Sequence, residues 1–335
     1  MSEQRPDHGG RLHRAAARWG IPVADWLDLS TGINPQGYPV PAIPERVWQR
    51  LPEDDDGLPE IARHWLGLPA AAGCLPVAGS QAALQTLPLL RRPGRVGVPA
   101  PGYQEHAAAW RRAGHRVVPL SADQVPAALP ELDALVWIHP NNPTGATLDT
   151  DTLLGWHRQL AARDGWLVVD EAFIEASPAT SLVPHLGAPG LVVLRSLGKF
   201  FGLAGLRAGL MAGPPALCRA LDERLGPWAL SHPARYVMGA ALADHHWQAT
   251  TRQRLGADRQ RLDALLREYG LNPQGDSHLF AWCATADAAV RHERLARQGV
   301  LTRLWEGPDG LRLGLPGDEA GWRRLDQALA NRSAP

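Results

Sequence analysis

Lysine is all but missing from this chain: of its 34 Lys+Arg, a single one is lysine, Lys199. Arginine serves equally well at a solvated surface, so a lone lysine points to chemistry that arginine cannot do. A guanidinium stays protonated, whereas a buried ammonium can lose its proton and attack a carbonyl. Cysteine is nearly as scarce. Cys74, Cys218 and Cys283 lie far apart with no CxxC pair, which excludes a disulfide framework and a zinc site and predicts packing residues in a reducing compartment. Net charge is absent too: 34 acids balance 34 bases, so no strong field draws nucleic acid or a membrane surface. No stretch reaches the roughly 18 apolar residues of a membrane span, and the polar, basic start MSEQRPDHGGRLHRAAARWG has no apolar signal core. These absences predict a cytoplasmic protein with a small-molecule partner, without metal, nucleic acid or membrane.

What the chain does have, from about residue 73 to 213, is an alternation of short apolar runs with amphipathic ones. RVGVP (95–99), HRVVPL (115–120), ALVWIHP (134–140), WLVVD (166–170), LVVLRS (191–196) and LRAGLMAG (206–213) read as strands. Helices are predicted over 103–114, closed by Gly114, and over 149–163, capped by Asp149. Near-continuous apolar strands separated by helices predict an α/β fold with a mostly parallel sheet covered on both faces. Beyond Pro214 long Arg/Ala/Leu helices (216–225, 233–244, 246–270) precede LFAW, VLTRLW and LRLGL, the strands of a smaller α+β domain. The predicted organisation is an N-terminal arm and helix over 1–30 packing with the small domain, a large cofactor-binding domain over 31–213 and a small domain over 214–335.

In open sheets of this kind ligands sit outside the carboxyl ends of the strands. The polar residues fall there: Asn141 and Asn142 follow one strand, Asp170 and Glu171 end another, and Ser196 to Lys199 follow a third. Lys199 therefore belongs to a crevice assembled from distant parts of the chain.

The ordered set GSQAAL (79–84), PGYQEH (101–106), HPNNPTG (139–145), DEAF (170–173), and Ser196-x-x-Lys199 with Arg207 eight residues on resembles the fold-type I pyridoxal-phosphate enzymes, the aspartate aminotransferase superfamily. The resemblance implies pyridoxal 5'-phosphate as cofactor, with Lys199 as the amine that bonds it covalently. Asp170 would pair with the pyridinium nitrogen, Asn142 would donate to the ring oxygen and Tyr103 would stack on the ring. Gly79, Ser80 and Gln81, opening a helix, would cradle the phosphate with Ser196 and Arg207. Arg312 matches the carboxylate-gripping arginine of the family. A homodimer is implied as well. Two departures stand out: Phe173 replaces a family tyrosine that donates to the ring oxygen, and Leu51, in RLPE, replaces a tyrosine that reaches the partner's phosphate.

The N-terminal segments DHGGRLHR and WLDLSTGINP resemble a branch of the family that decarboxylates a phosphorylated amino acid. That resemblance implies His8, Gly9, Asn34 and Arg303 as further substrate residues, with the backbone of Gly9 and Gly10 closing on a phosphate. The rest of the chain is equally similar to histidinol-phosphate aminotransferases. Decarboxylation and transamination differ only in which bond at the α-carbon stands perpendicular to the cofactor plane, and the motifs do not choose between them. A non-catalytic cofactor-binding module is the third alternative, against which the retained lysine argues.

Overall fold

The computed structural model describes residues 8–177 and 179–331. Residues 1–7 of the expected arm lie outside them. Strands in chain order are β1 (Leu27–Asp28), β2 (Gly73–Val77), β3 (Arg95–Pro99), β4 (Arg116–Leu120), β5 (Ala134–Ile138), β6 (Trp166–Asp170), β7 (Leu191–Ser196), β8 (Gly209–Gly213), β9 (Phe280–Ala284), β10 (Val300–Leu301), β11 (Arg303–Glu306) and β12 (Asp309–Gly314).

Seven of these form one sheet in the order β2-β8-β7-β6-β5-β3-β4. Strands β3 to β7 run parallel, while β8 is antiparallel to both of its neighbours. The short link from β7 through Lys199 to β8 explains that reversal: it holds no crossover helix, and without one the next strand cannot return parallel. The runs ALVWI and LVVL are apolar at every position because both faces are covered. Val136, Val168 and Val192 face one buried cluster, and Leu135, Leu167 and Leu191 face another. Strand β2, in GCLPV, was not among the expected strands; its proline and half-buried start mask it in the sequence.

A second, antiparallel sheet in the order β11-β12-β9 stands apart, and β1 pairs parallel with β10. The N-terminal helix Leu12–Trp19 packs beside Ala288–Arg297, so the described part of the arm joins the small sheet's helices. The helix Pro215–Leu225 behaves differently from the division expected at 213/214. It packs on the large sheet: a Cβ at Gly73 in β2 would meet Cys218 Sγ at 3.0 Å, and Cys218 and Leu221 belong to the cluster holding Val77 and Met211.

Candidate active site

Three turns at the strand ends bring together what the sequence keeps apart. Asn142 follows β5, Asp170 closes β6 and Lys199 follows β7, and all three line one cleft with Ser80, Ser196 and Arg207. A buried ion pair steadies two of those strand ends. Arg195, in β7, lies 3.0 Å from Glu171 and donates to Ser181 Oγ at 2.8 Å, and Ser181 in turn donates to Glu171.

Asp170 is 5% exposed. One of its oxygens accepts from the Ala172 N–H at 3.1 Å, and the other lies 2.8 Å from His106 Nε2, which is buried as deeply. His106 falls inside the segment PGYQEH, where its role is not apparent from the sequence. In a helix rich in alanine and arginine, a histidine three residues after an aromatic carries no signal of its own, and the contact is visible only once β6 is placed.

Lys199 Nζ lies 5.4 Å from the Phe173 ring centroid. Burial, then the neighbouring Arg312 and Arg207 cations, lower its pKa to about 8, with Asp170 opposing. Phe173, in place of a tyrosine, packs edge-on against Phe280 at 5.1 Å and gives that amine an apolar neighbour with no hydrogen-bond partner.

The anion cradle is built around glycine. Gly79 caps the helix Ser80–Thr86 at φ +74°, and a Cβ there would strike Arg207 Nη2 at 2.9 Å. Arg207 itself takes the left-handed conformation, φ +55°, which few non-glycine residues adopt. A helix start with serine hydroxyls and a guanidinium drawn tightly over it suits a phosphate. Tyr103 lines the same side and donates to Gln81 Oε1 at 3.2 Å; burial, then Glu105 and Asp170, push its phenol up to about 12.

The opposite wall comes from the small sheet and the N-terminus. Arg312, in β12, donates to Ser30 O at 2.6 Å and to Asn142 Oδ1 at 2.5 Å. Because the Asn142 oxygen accepts from Arg312, the amide nitrogen is the end left to donate to a ring oxygen. Burial first, then Arg303, bring the Arg312 guanidinium down to about 10. Arg303 and Arg312 are direct cross-strand partners, and both line the cleft. His8 and Gly9 line it as well, His8 Nε2 lying 2.8 Å from Glu105 Oε1.

Two expected substrate contacts are spent elsewhere. Asn34, 2% exposed, lies behind the Lys199 turn and does not line the cleft: its amide donates to Phe200 O, and its oxygen accepts from Gln36 and Arg254. The Gly10 N–H donates to Ser30 Oγ at 2.7 Å, so it is committed to the protein. Gly9 packs so closely on Ser30 that a Cβ would fall 2.3 Å from its carbonyl oxygen. Among the described residues no group of three or more His, Cys, Asp or Glu could hold a metal ion, and no helix is long and apolar enough to cross a membrane.

An amine of lowered pKa, a buried carboxylate braced by histidine, and an anion cradle on one side of a cleft fit pyridoxal phosphate. The family model for aminotransferase class I and II matches residues 60–320. The chain belongs to this aminotransferase family. Its relatives include the threonine-phosphate decarboxylase of Pseudomonas aeruginosa, 52% identical over 329 residues and covering 98% of each chain. That of Sinorhizobium sp is 40% identical, covering 96% of this chain and 97% of its own. In fold, this aminotransferase-family chain matches the histidinol-phosphate aminotransferase of Sinorhizobium meliloti in complex with pyridoxal-5'-phosphate, with TM-score 0.83 at 20% identity over 98% of this chain and 97% of the other.

Proposed function

We propose that this chain decarboxylates L-threonine O-3-phosphate to (R)-1-amino-2-propanol O-2-phosphate and carbon dioxide, the amine serving as the aminopropanol linker of cobalamin. Arg303 and Arg312 carry the reading. Facing residues of an antiparallel pair stand about 4.5–5.5 Å apart at Cβ, and like charges there repel. Two guanidiniums placed so on the cleft wall match a ligand with two anionic groups a few bonds apart. Threonine phosphate has them, a carboxylate and a phosphate, in one substrate; histidinol phosphate has only the phosphate, and an aminotransferase would use the carboxylate site for its 2-oxo acid partner. The relatives named threonine-phosphate decarboxylase support the same choice.

The cofactor site divides by chemistry. Lys199 would hold pyridoxal phosphate covalently, Asp170 its ring nitrogen and Asn142 its ring oxygen, with Tyr103 against the ring face. Gly79, Ser80, Gln81, Ser196 and Arg207 would surround its phosphate. Bound there, the cofactor supplies a sink for the electron pair released when a bond to the substrate α-carbon breaks. His106 keeps Asp170 oriented from behind.

The protein's part is then positioning. Arg312 receives the carboxylate as a planar fork, already fixed by Ser30 and Asn142. Arg303 receives the phosphate, with His8 and Gly9 beside it. Holding both ends would fix the orientation of the carboxylate relative to the bound cofactor, which selects the bond that breaks. Carbon dioxide would leave without the electron pair that bound it to the α-carbon. Lys199 would then deliver one proton to that carbon, so the net change replaces a carboxylate by hydrogen. In the cofactor-free protein that amine has a pKa of about 8, close enough to neutral pH for it to carry and release a proton.

The same proposal covers a cytoplasmic homodimer. Val40, Trp48 and Leu51 are exposed, and so are Trp228 and Tyr236 nearby, the two groups linked where His232 meets Arg50 O at 3.2 Å. A second copy seated there would cover them.

The test is release of carbon dioxide from carboxyl-labelled threonine phosphate by the cofactor-loaded protein with no oxo acid present. Release with an amine product is expected. Silence from protein shown to hold cofactor, with transamination once a 2-oxo acid is added, would replace the proposal by the histidinol-phosphate type of reaction.

A further inference from the structure

Glu105 is a partly buried carboxylate that the chemistry above does not use. It lies in the first turn of the helix Gln104–Arg112, its side chain 13% exposed. Its two oxygens serve different partners. Oε1 meets His8 at 2.8 Å, while Oε2 accepts from Gln85 at 3.0 Å and Gln81 at 3.3 Å. Gln81 turns its oxygen to the Tyr103 hydroxyl, and the Tyr103 ring lies 5.6 Å from that of His8. A closed circuit therefore runs from the N-terminal strap at 8–10 through Glu105, Gln81 and Tyr103 and back to the strap. The strap's other end is tied through Ser30 to Arg312.

We propose that Glu105 is a positioning residue that couples this strap to the cofactor cradle, so that loading the cradle orders the strap over the cleft. A carboxylate largely withdrawn from water needs its donors in place. A cofactor ring against Tyr103 and a phosphate at Ser80 and Gln81 would fix the Gln81 amide, which fixes Oε2. Fixing Oε2 leaves Oε1 aimed at His8. The coupling is reciprocal: a strap held by Glu105 tightens the cofactor by the same factor by which the cofactor steadies the strap.

The proposal rests on the cofactor and not on the identity of the substrate, so its test uses none. Tryptic cleavage after the exposed Arg11 would be timed in the cofactor-free and pyridoxal-phosphate-loaded protein, with cofactor dissociation followed by fluorescence. In wild type, loading should slow cleavage about fivefold, at the low end of typical couplings. In Glu105→Gln and Glu105→Ala that protection should vanish, and cofactor affinity should fall by the same factor. His8→Ala should reproduce both changes, and His8→Ala with Glu105→Ala should add nothing more. Absence of protection in wild type, or full protection in the folded Glu105→Gln protein, would overturn the coupling. A Glu105 that merely stabilised its helix would speed cleavage with and without cofactor alike. Loss of decarboxylation activity would leave these readouts untouched, so the two proposals fail separately.

Discussion

The wall of the cleft that belongs to the large sheet carries its groups on tight turns after β5, β6 and β7, each fixed by a buried parallel strand. The facing wall carries Arg303 and Arg312 on an antiparallel pair of the small sheet, and His8 on a strap held by a few polar contacts. Under the proposed function the first wall would hold the cofactor and the second would receive the substrate. Rigidity and chemistry sit together on one side, selection on the other. Changes on the first wall should therefore abolish turnover, and changes on the second should alter substrate use while sparing the cofactor.

The sharpest break of that contrast is Lys199→Arg, which keeps the charge and removes the nucleophile. Turnover should fall more than about a thousandfold, because loss of a covalent catalyst costs several powers of ten. Borohydride treatment followed by mass spectrometry should find no cofactor attached to the chain. On the facing wall, Arg312→Lys loses a bidentate fork and its bonds to Ser30 and Asn142, so kcat/KM should drop by about a hundredfold, with a much smaller loss of cofactor affinity through Asn142. Arg303→Gln should act mainly through KM, raising it by about tenfold or more. A comparable loss of cofactor affinity in either arginine variant would erase the distinction between the walls. His106→Ala tests the first wall from behind: cofactor affinity and kcat should both fall, by about tenfold, with KM little changed.

The smallest effect is on stability. In cofactor-free protein Lys199 has a folded-state pKa of about 8 against 10.5 for the free side chain. Between those values the unfolded chain binds more protons, so this group makes stability rise with pH from about 8 upward. Above about pH 10 Tyr103, raised to about 12, works in the opposite direction. Denaturant titrations at pH 7.5 and 9.5 should show wild type gaining about 1–2 kcal/mol relative to Lys199→Met.

The same contrast governs what could be read in the sequence. The strands WLVVD and LVVLRS coincide with β6 and β7, and the Asp149 cap accepts from Thr152 N as expected. Those features are local; Lys199 stands out as the lone lysine, and the expected roles of Asp170 and the glycine-led cradle come from the resemblance of the ordered motifs to the family. The cross-strand pairing of Arg303 with Arg312 depends on register across a turn, which no single stretch encodes. Asn34 lies in a motif-like segment, yet its position behind the Lys199 turn is decided by packing with Arg254, more than two hundred residues away. His106 and Glu105 lie inside a quoted motif, but their partners come from β6 and from the strap. Helix Pro215–Leu225 looks like its neighbours in composition, and its seat on the large sheet, with Cys218 over the small Gly73 and Leu221 in the cluster of Val77 and Met211, appears only in the packing.

The lone lysine also makes this protein unusually easy to mark. Amine-directed reagents ordinarily decorate a surface at many points, whereas here the one side-chain amine lies inside the cleft and, with a pKa of about 8, is reactive near neutral pH. Apart from the α-amino group at the start of the chain, a single label would count vacant sites directly, and occupancy by pyridoxal phosphate would appear as protection.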